Sequence, residues 1–171
     1  GHEVKSLREL GVTLDPEETG TTFAENAKIK AEAFCKATGL PTVAECGGFL
    51  YLGQTLEDDA GTAHPMAGVL PGSGHNTGRL VRFGYAVMTA KAGSMLFHAG
   101  EALPIHEFHH WDSTANGTAF TARKNEKMQW ECGFANENFY AGFPHLYWAG
   151  TSLPRRFVTA ARSYLYKEPN P

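Results

Sequence analysis

The sequence predicts an α/β domain with antiparallel additions, and three stretches carry that reading. PTVAECGGFLYLG, residues 41–53, runs from an apolar strand through a glycine pair into a second apolar run. RLVRFGYAVMTA, PIHEFHHWDS and TAFTARK read as successive strands in the later half. SLPRRFVTAARSYLYKE, near the C-terminus, has the spacing of an amphipathic helix. Strands mixed with helices, and a later block richer in strands, give this class.

In chain order, Val4 to Leu14 forms a short amphipathic element, and DPEETGTT is turn-like. Thr21 or Thr22 caps a helix from about Phe23 to Thr38, rich in Ala, Glu and Lys. Gly39 stands where a C-terminal cap is wanted, and Pro41 follows. LPTVAE is then a short buried strand, and GGFLYLGQTL a helix after a tight turn. Asp58 to Gly78, rich in Gly, Asp, His and Pro, is expected as an ordered loop. After the three later strands comes another near FYAGFPHLYW. In the last helix Ser152 caps, and Leu153, Phe157, Ala160, Ala161 and Tyr164 share a face.

A chain of 171 residues suits one domain. A formal charge of −3 argues against nucleic acid or an anionic membrane as the main partner. No apolar run approaches the roughly 18 residues of a spanning helix, and GHEVKSLREL lacks a signal-peptide core, which argues against export. Cys35, Cys46 and Cys132 form neither a disulfide framework nor a CxxC metal pattern, so no metal site is expected and a reducing cytoplasm fits.

Cys46 carries the first candidate chemistry. A nucleophile works well on a strained strand-to-helix turn, where small neighbours let substrate approach. With Gly47 and Gly48 behind it and a strand in front, Cys46 matches that pattern, with sulfur in place of oxygen. A helix starting there would also let the Gly47 N–H point at a developing oxyanion. The alternative is a small buried cysteine, since free cysteine is among the most buried residue types. A thiol nucleophile also needs a base, and eight histidines are available. His145, in GFPHLYW, stands at a strand end before the last helix; it either faces a cleft or is a satisfied core imidazole.

IHEFHHWDS contains the HExxH pattern of zinc proteases in His106, Glu107 and His110. That motif needs a helix, whereas Phe108 and Trp111 favour a strand, in which residues four apart are separated by about 13 Å. One zinc ion does not span that distance.

Four motifs together resemble the glutamine amidotransferase domain of the cobyrinate a,c-diamide synthase family, a class I (triad-type) amidotransferase. They are ECGGFLYLG, MAGVLPG with RLVRFGYAVMT, IHEFHHWDS, and AGFPHLYWAGTSLPRRFVTAAR. The resemblance runs from Pro41 to the C-terminus and places Cys46 on the nucleophile and His145 on the catalytic base. It implies a flavodoxin-like three-layer fold with antiparallel additions, and glutamine as substrate. Glu107 and His109 then join Gly47 as oxyanion or substrate-binding candidates. Tyr147 stands where the triad carboxylate is usual, two residues after the histidine, so a Cys46–His145 dyad is implied with the third group unassigned. The resemblance also implies a synthetase domain or subunit that binds ATP, Mg²⁺ and cobyrinate. This chain has no GxxxxGK[ST] phosphate loop.

The front of the chain departs from that family, because residues 1–40 lack its glycine-rich loop, the source of a second oxyanion-hole N–H. EETGTTFAENAKIKA instead resembles the non-canonical purine nucleoside triphosphate pyrophosphatase family, putting Glu18, Glu25 and Lys30 on metal- and phosphate-contacting positions. The catalytic aspartate of that family is missing, since AECGG stands at that point. The expected organisation is a pyrophosphatase-like segment, residues 1–41, followed by an amidotransferase-like domain, residues 42–171, whose N-terminal βαβ part is atypical or incomplete. Three functions follow in order: glutaminase with weak activity in isolation, Mg²⁺-dependent pyrophosphatase, and a non-catalytic chimeric remnant.

Overall fold

The structure is a computed structural model that describes residues 40–165. The elements expected at Val4–Leu14 and Phe23–Thr38, and Glu18, Glu25, Lys30 and Cys35, lie outside the described residues. The order is β1 (Thr42–Glu45), α1 (Gly47–Tyr51), β2 (Thr55–Glu57), β3 (Ala63–Pro65), β4 (Gly74–Asn76), β5 (Arg82–Ala90) and β6 (Ala102–His109). There follow β7 (Trp111–Ser113), β8 (Phe120–Asn125), β9 (Met128–Cys132), β10 (Phe134–Ala135), β11 (Phe139–Gly142), β12 (His145–Leu146) and α2 (Leu153–Leu165). The fold is mixed α/β, as the sequence predicts.

The smallest sheet, β1-β11-β10, sits between two apolar cores. β1 and β11 run parallel, and successive residues alternate between the cores: Val43 and Tyr140 face one, Ala44 and Ala141 the other. Burial on both faces explains why LPTVAE and FYAG are continuous apolar runs rather than alternating ones.

The five-stranded sheet, order β12-β6-β5-β8-β9, is antiparallel throughout. On β6, Leu103, Ile105, Glu107 and His109 are buried, while Ala102, Pro104 and Phe108 are exposed. This is the period-2 pattern of a half-covered strand. HEFH therefore lies on β6 and not on a helix that would align His106 with His110, but PIHEFHHWDS, expected as one strand, breaks at His110: β6 ends at His109, and β7 starts at Trp111 in the four-stranded sheet.

Two further expectations change. GGFLYLGQTL was expected to be helical throughout, yet α1 ends at Tyr51. A Cβ on Gly53 would lie 2.5 Å from the Gly72 carbonyl oxygen, so the chain leaves the helix to pack backbone against backbone. Asp58 to Gly78, expected as a loop, contains β3 and β4, which join β2 and β7 in a four-stranded sheet. Strands of three residues are too short for their alternation to register in sequence. At the last helix the capping hydroxyl is Thr151's, accepting the Leu153 N–H at 3.3 Å, while Ser152 offers its carbonyl to Arg156 N–H. Leu153 is buried, and Phe157 and Ala160 pack on the same core.

Gly117 and Gly133 bring two loops together beneath the strand that leads to the site. At Gly117, φ is +77° and a Cβ would stand 2.2 Å from the Gly133 carbonyl oxygen, a backbone atom with no freedom to yield. Gly117→Ala is expected to lower stability by at least about 2 kcal/mol, read as a fall in the urea midpoint at unchanged slope.

Candidate active site

Cys46 occupies the junction between β1 and α1 with φ 51° and ψ −108°. It is the one non-glycine residue with positive φ among the described residues. This ψ lies well outside the left-handed helical region, so the turn is strained, at a cost of about 1–3 kcal/mol. Hydrogen bonds hold it from both sides. The Cys46 N–H donates to the Gly142 carbonyl at 2.9 Å, and the Leu50 N–H donates to the Cys46 carbonyl at 3.0 Å. A Cβ on Gly47 would meet nothing within 4 Å, so packing does not demand glycine there and the approach to the sulfur is open.

The Cys46 thiol is half-buried, which rules out a sealed core cysteine. Burial pushes its pKa above the ordinary value; the Gly47 N–H, a donor to the sulfur, pulls it back, and the Glu107 and Glu45 carboxylates raise it further. The thiol therefore needs a cationic or basic neighbour to react at neutral pH. Cys132 contrasts with it. Buried among apolar side chains, its thiol is pushed up to about 12. Iodoacetamide at pH 8–9 is thus expected to modify Cys46 well before Cys132 in folded protein, as peptide mass mapping would show.

The loop that follows β11 delivers His145. Gly142, which accepts the Cys46 N–H, lies three residues before it. The Tyr140 hydroxyl, wholly buried, donates to the Pro144 carbonyl at 3.1 Å, and Phe143 packs edge-on against Phe49 of α1. His145 then pairs with His106 at the edge of the five-stranded sheet. Its Nδ1 stands 3.8 Å from Glu45 Oε2. The fold thus brings Cys46 and His145 to one place through Glu45. Among the described residues no hydrogen bond joins the sulfur to the imidazole directly.

Glu107 and His109 form a closed network beneath this point, each no more than 5 % exposed. Glu107 Oε2 lies 3.2 Å from His109 Nε2 and 3.5 Å from Arg82 Nε, while Oε1 accepts the Trp130 indole N–H at 3.2 Å. His109 Nδ1 lies 2.7 Å from the Trp111 carbonyl oxygen, and its ring stacks on Phe143 at 3.8 Å. Arg82 lies over the Trp130 ring at 4.4 Å. These contacts tie the β6 side chains to the loop before His145, and the Glu107 charge reaches Cys46. Among the described residues no group of three or more metal-ligating side chains converges.

Glu45 is the residue that sequence reasoning passed over. Its Oε1 accepts the Leu146 N–H at 3.3 Å and the Trp148 indole N–H at 3.1 Å, while Oε2 faces His145. The signal was present in AECGG: strand alternation puts Glu45 on the Val43 side, facing the core that includes Leu146.

A thiol on a strained strand-to-helix turn, with a histidine in the loop that follows its Gly142 partner, is the kind of arrangement used by acyl-transfer enzymes with a cysteine nucleophile. Residues 17–152 match the CobB/CobQ-like glutamine amidotransferase domain. The chain belongs to that family and is a glutamine amidotransferase domain. It is 35 % identical over 133 residues to the cobyrinate a,c-diamide synthase of Salmonella typhimurium, covering 74 % of this chain and 29 % of that protein. The synthase of Caldanaerobacter subterraneus is 35 % identical over 111 residues, 63 % of this chain and 25 % of that protein. That of Priestia megaterium is 30 % identical over 141 residues, 80 % of this chain and 30 % of that protein. The chain thus spans under a third of the length of these curated relatives. The match does not favour the pyrophosphatase alternative.

Proposed function

We propose that this domain is the glutaminase part of cobyrinate a,c-diamide synthase, supplying ammonia for ATP-dependent amidation of corrin-ring carboxylates in cobalamin biosynthesis. The observation that carries the reading is the Cys46 turn, strained and pinned by Gly142, the residue that leads into the His145 loop. The Cys46 thiolate adds to the side-chain carbonyl of glutamine, forming a C–S bond. The C–N bond then breaks as the His145 imidazolium gives its proton to departing ammonia. Water, deprotonated by His145, cleaves the thioester and releases glutamate. Gly47 supplies one oxyanion donor, and a flavodoxin-like three-layer arrangement would set β1 and β11 at the centre of a parallel sheet.

ATP, Mg²⁺ and cobyrinate would be held by the synthetase part, which the length of the relatives supports. An exposed apolar strip beside His145 supports a partner surface. Cross-strand pairing lines up Phe83 with Phe108, and Tyr85 with His106 and then His145, leaving Tyr85 79 % and Phe83 58 % exposed. No helix among the described residues is long and apolar enough to cross a membrane, and a cytoplasmic setting is part of the proposal.

The test is reconstitution with the synthetase part of a relative, ATP, Mg²⁺, cobyrinate and glutamine. Glutamine-dependent diamide is expected, with weak ammonia release from the domain alone, because residues 1–40 do not carry the glycine-rich loop motif of the family and loss of one oxyanion donor typically costs about 10²–10³ in rate. Diamide formation that is equal with Cys46→Ala would overturn the reading.

A further inference from the structure

We propose that Glu45 is the carboxylate that orients His145, taking the place of the group normally found two residues after the base. The proposal rests on the reading of Cys46 and His145 as nucleophile and base. Tyr147 occupies that usual position; it is 62 % exposed and a phenol, so it brings no carboxylate to the ring. Glu45 reaches the same imidazole from the opposite direction in sequence, from the end of β1 and next to the nucleophile.

Two outer strands meet at this side chain. Among the described residues β1 is the outermost strand of the three-stranded sheet and β12 of the five-stranded one, and Glu45 bridges them. Its Oε1 is fixed by two donors, Leu146 N–H at 3.3 Å and Trp148 Nε1–H at 3.1 Å. With Oε1 anchored, Oε2 is left facing His145 Nδ1 at 3.8 Å, an ion-pair distance that a small shift of the half-exposed ring turns into a hydrogen bond. Among the described residues no hydrogen bond occupies His145 Nε2. A carboxylate accepts hydrogen bonds and donates none, so Glu45 selects the tautomer with the proton on Nδ1. Nε2 is then unprotonated and free to take the proton of a thiol. When the ring becomes an imidazolium, the same carboxylate stabilises it.

Glu45→Gln separates this role from a structural one. The glutamine carbonyl retains the bonds to Leu146 and Trp148, but the amide NH₂ now faces Nδ1. Nδ1 must accept, and the proton moves to Nε2, the wrong nitrogen for a base. The measurement is the pair of imidazole ¹⁵N chemical shifts of His145 in full-length protein, assigned by comparison with His145→Gln. Wild type is expected to show the Nδ1–H tautomer, and Glu45→Gln a shift to Nε2–H with an unchanged melting curve. Glutaminase turnover is expected to fall by about 10²–10⁴-fold.

An Nε2–H tautomer in wild type overturns the proposal even if Glu45→Gln does not fold. The same tautomer in both proteins, with Cys46 still labelled by a glutamine analogue, overturns it while leaving the glutaminase reading intact. A tautomer change without any Cys46 label supports the Glu45 contact and overturns that reading instead.

Discussion

Cys46→Gly is expected to abolish glutamine hydrolysis, by about 10⁴-fold or more, while making the folded domain more stable than Cys46→Ala by about 1 kcal/mol. At an ordinary position the order is reversed, glycine being the worse of the two by about 0.5–1 kcal/mol. The reversal follows from the backbone at residue 46, with φ 51° and ψ −108°, which costs any residue bearing a Cβ. Hydrogen bonds from Cys46 N–H to Gly142 and from Leu50 N–H to Cys46 hold that geometry whatever the side chain. Strain of this kind is retained where it serves function. Urea unfolding of the two variants, paired with an ammonia assay, measures both effects. If Cys46→Gly unfolds more readily than Cys46→Ala, the turn is not strained.

Glu107→Ala is expected to destabilise the domain by about 3–5 kcal/mol. Its carboxylate has three buried or half-buried neighbours at 3.2–3.5 Å: His109, Trp130 and Arg82. Alanine leaves them without their acceptor and opens a void beside His109, which stacks on Phe143. The midpoint of urea unfolding reports the loss, and an unchanged midpoint would show that water replaces the carboxylate. Glu107→Gln is the gentler companion. It keeps an acceptor for Trp130 and removes a negative charge that raises the Cys46 pKa, so alkylation of Cys46 is expected to move to lower pH. A shift to higher pH would contradict the sign of that electrostatic effect.

Much of the site was legible in the sequence because its signals are local. Cys46, Gly47 and Gly48 lie within three residues, and a strand before them with an apolar run after them is enough to draw the turn. The strand character of HEFH was readable because Phe108 and Trp111 accompany its polar residues, and β6 bears this out as far as His109, although the break at His110 was not legible. His145 was legible only through the family resemblance, since no local feature separates it from seven other histidines. The buried network is of the opposite kind. Glu107 meets Trp130 from 23 residues away, and Arg82 comes from the neighbouring strand, so only the register of β5 and β6 reveals them as partners. Glu45 falls between these cases. It adjoins Cys46, but its contacts are to Leu146 and Trp148, more than 100 positions later. The short strands after Asp58 were missed for a different reason. They are set by glycines with no room for a side chain, Gly72 against Ser113 and Ala115 and Gly74 against Leu56 and Leu50, rather than by an apolar pattern.

The most direct test is covalent trapping with a diazoketone analogue of glutamine, followed by intact-mass and peptide mass spectrometry of the folded protein. A single adduct is predicted, on Cys46, absent from Cys46→Ala and suppressed by excess glutamine. Adducts on Cys35 or Cys132 instead, or labelling that glutamine does not compete, would mean that this thiol is not the group that takes the acyl chain.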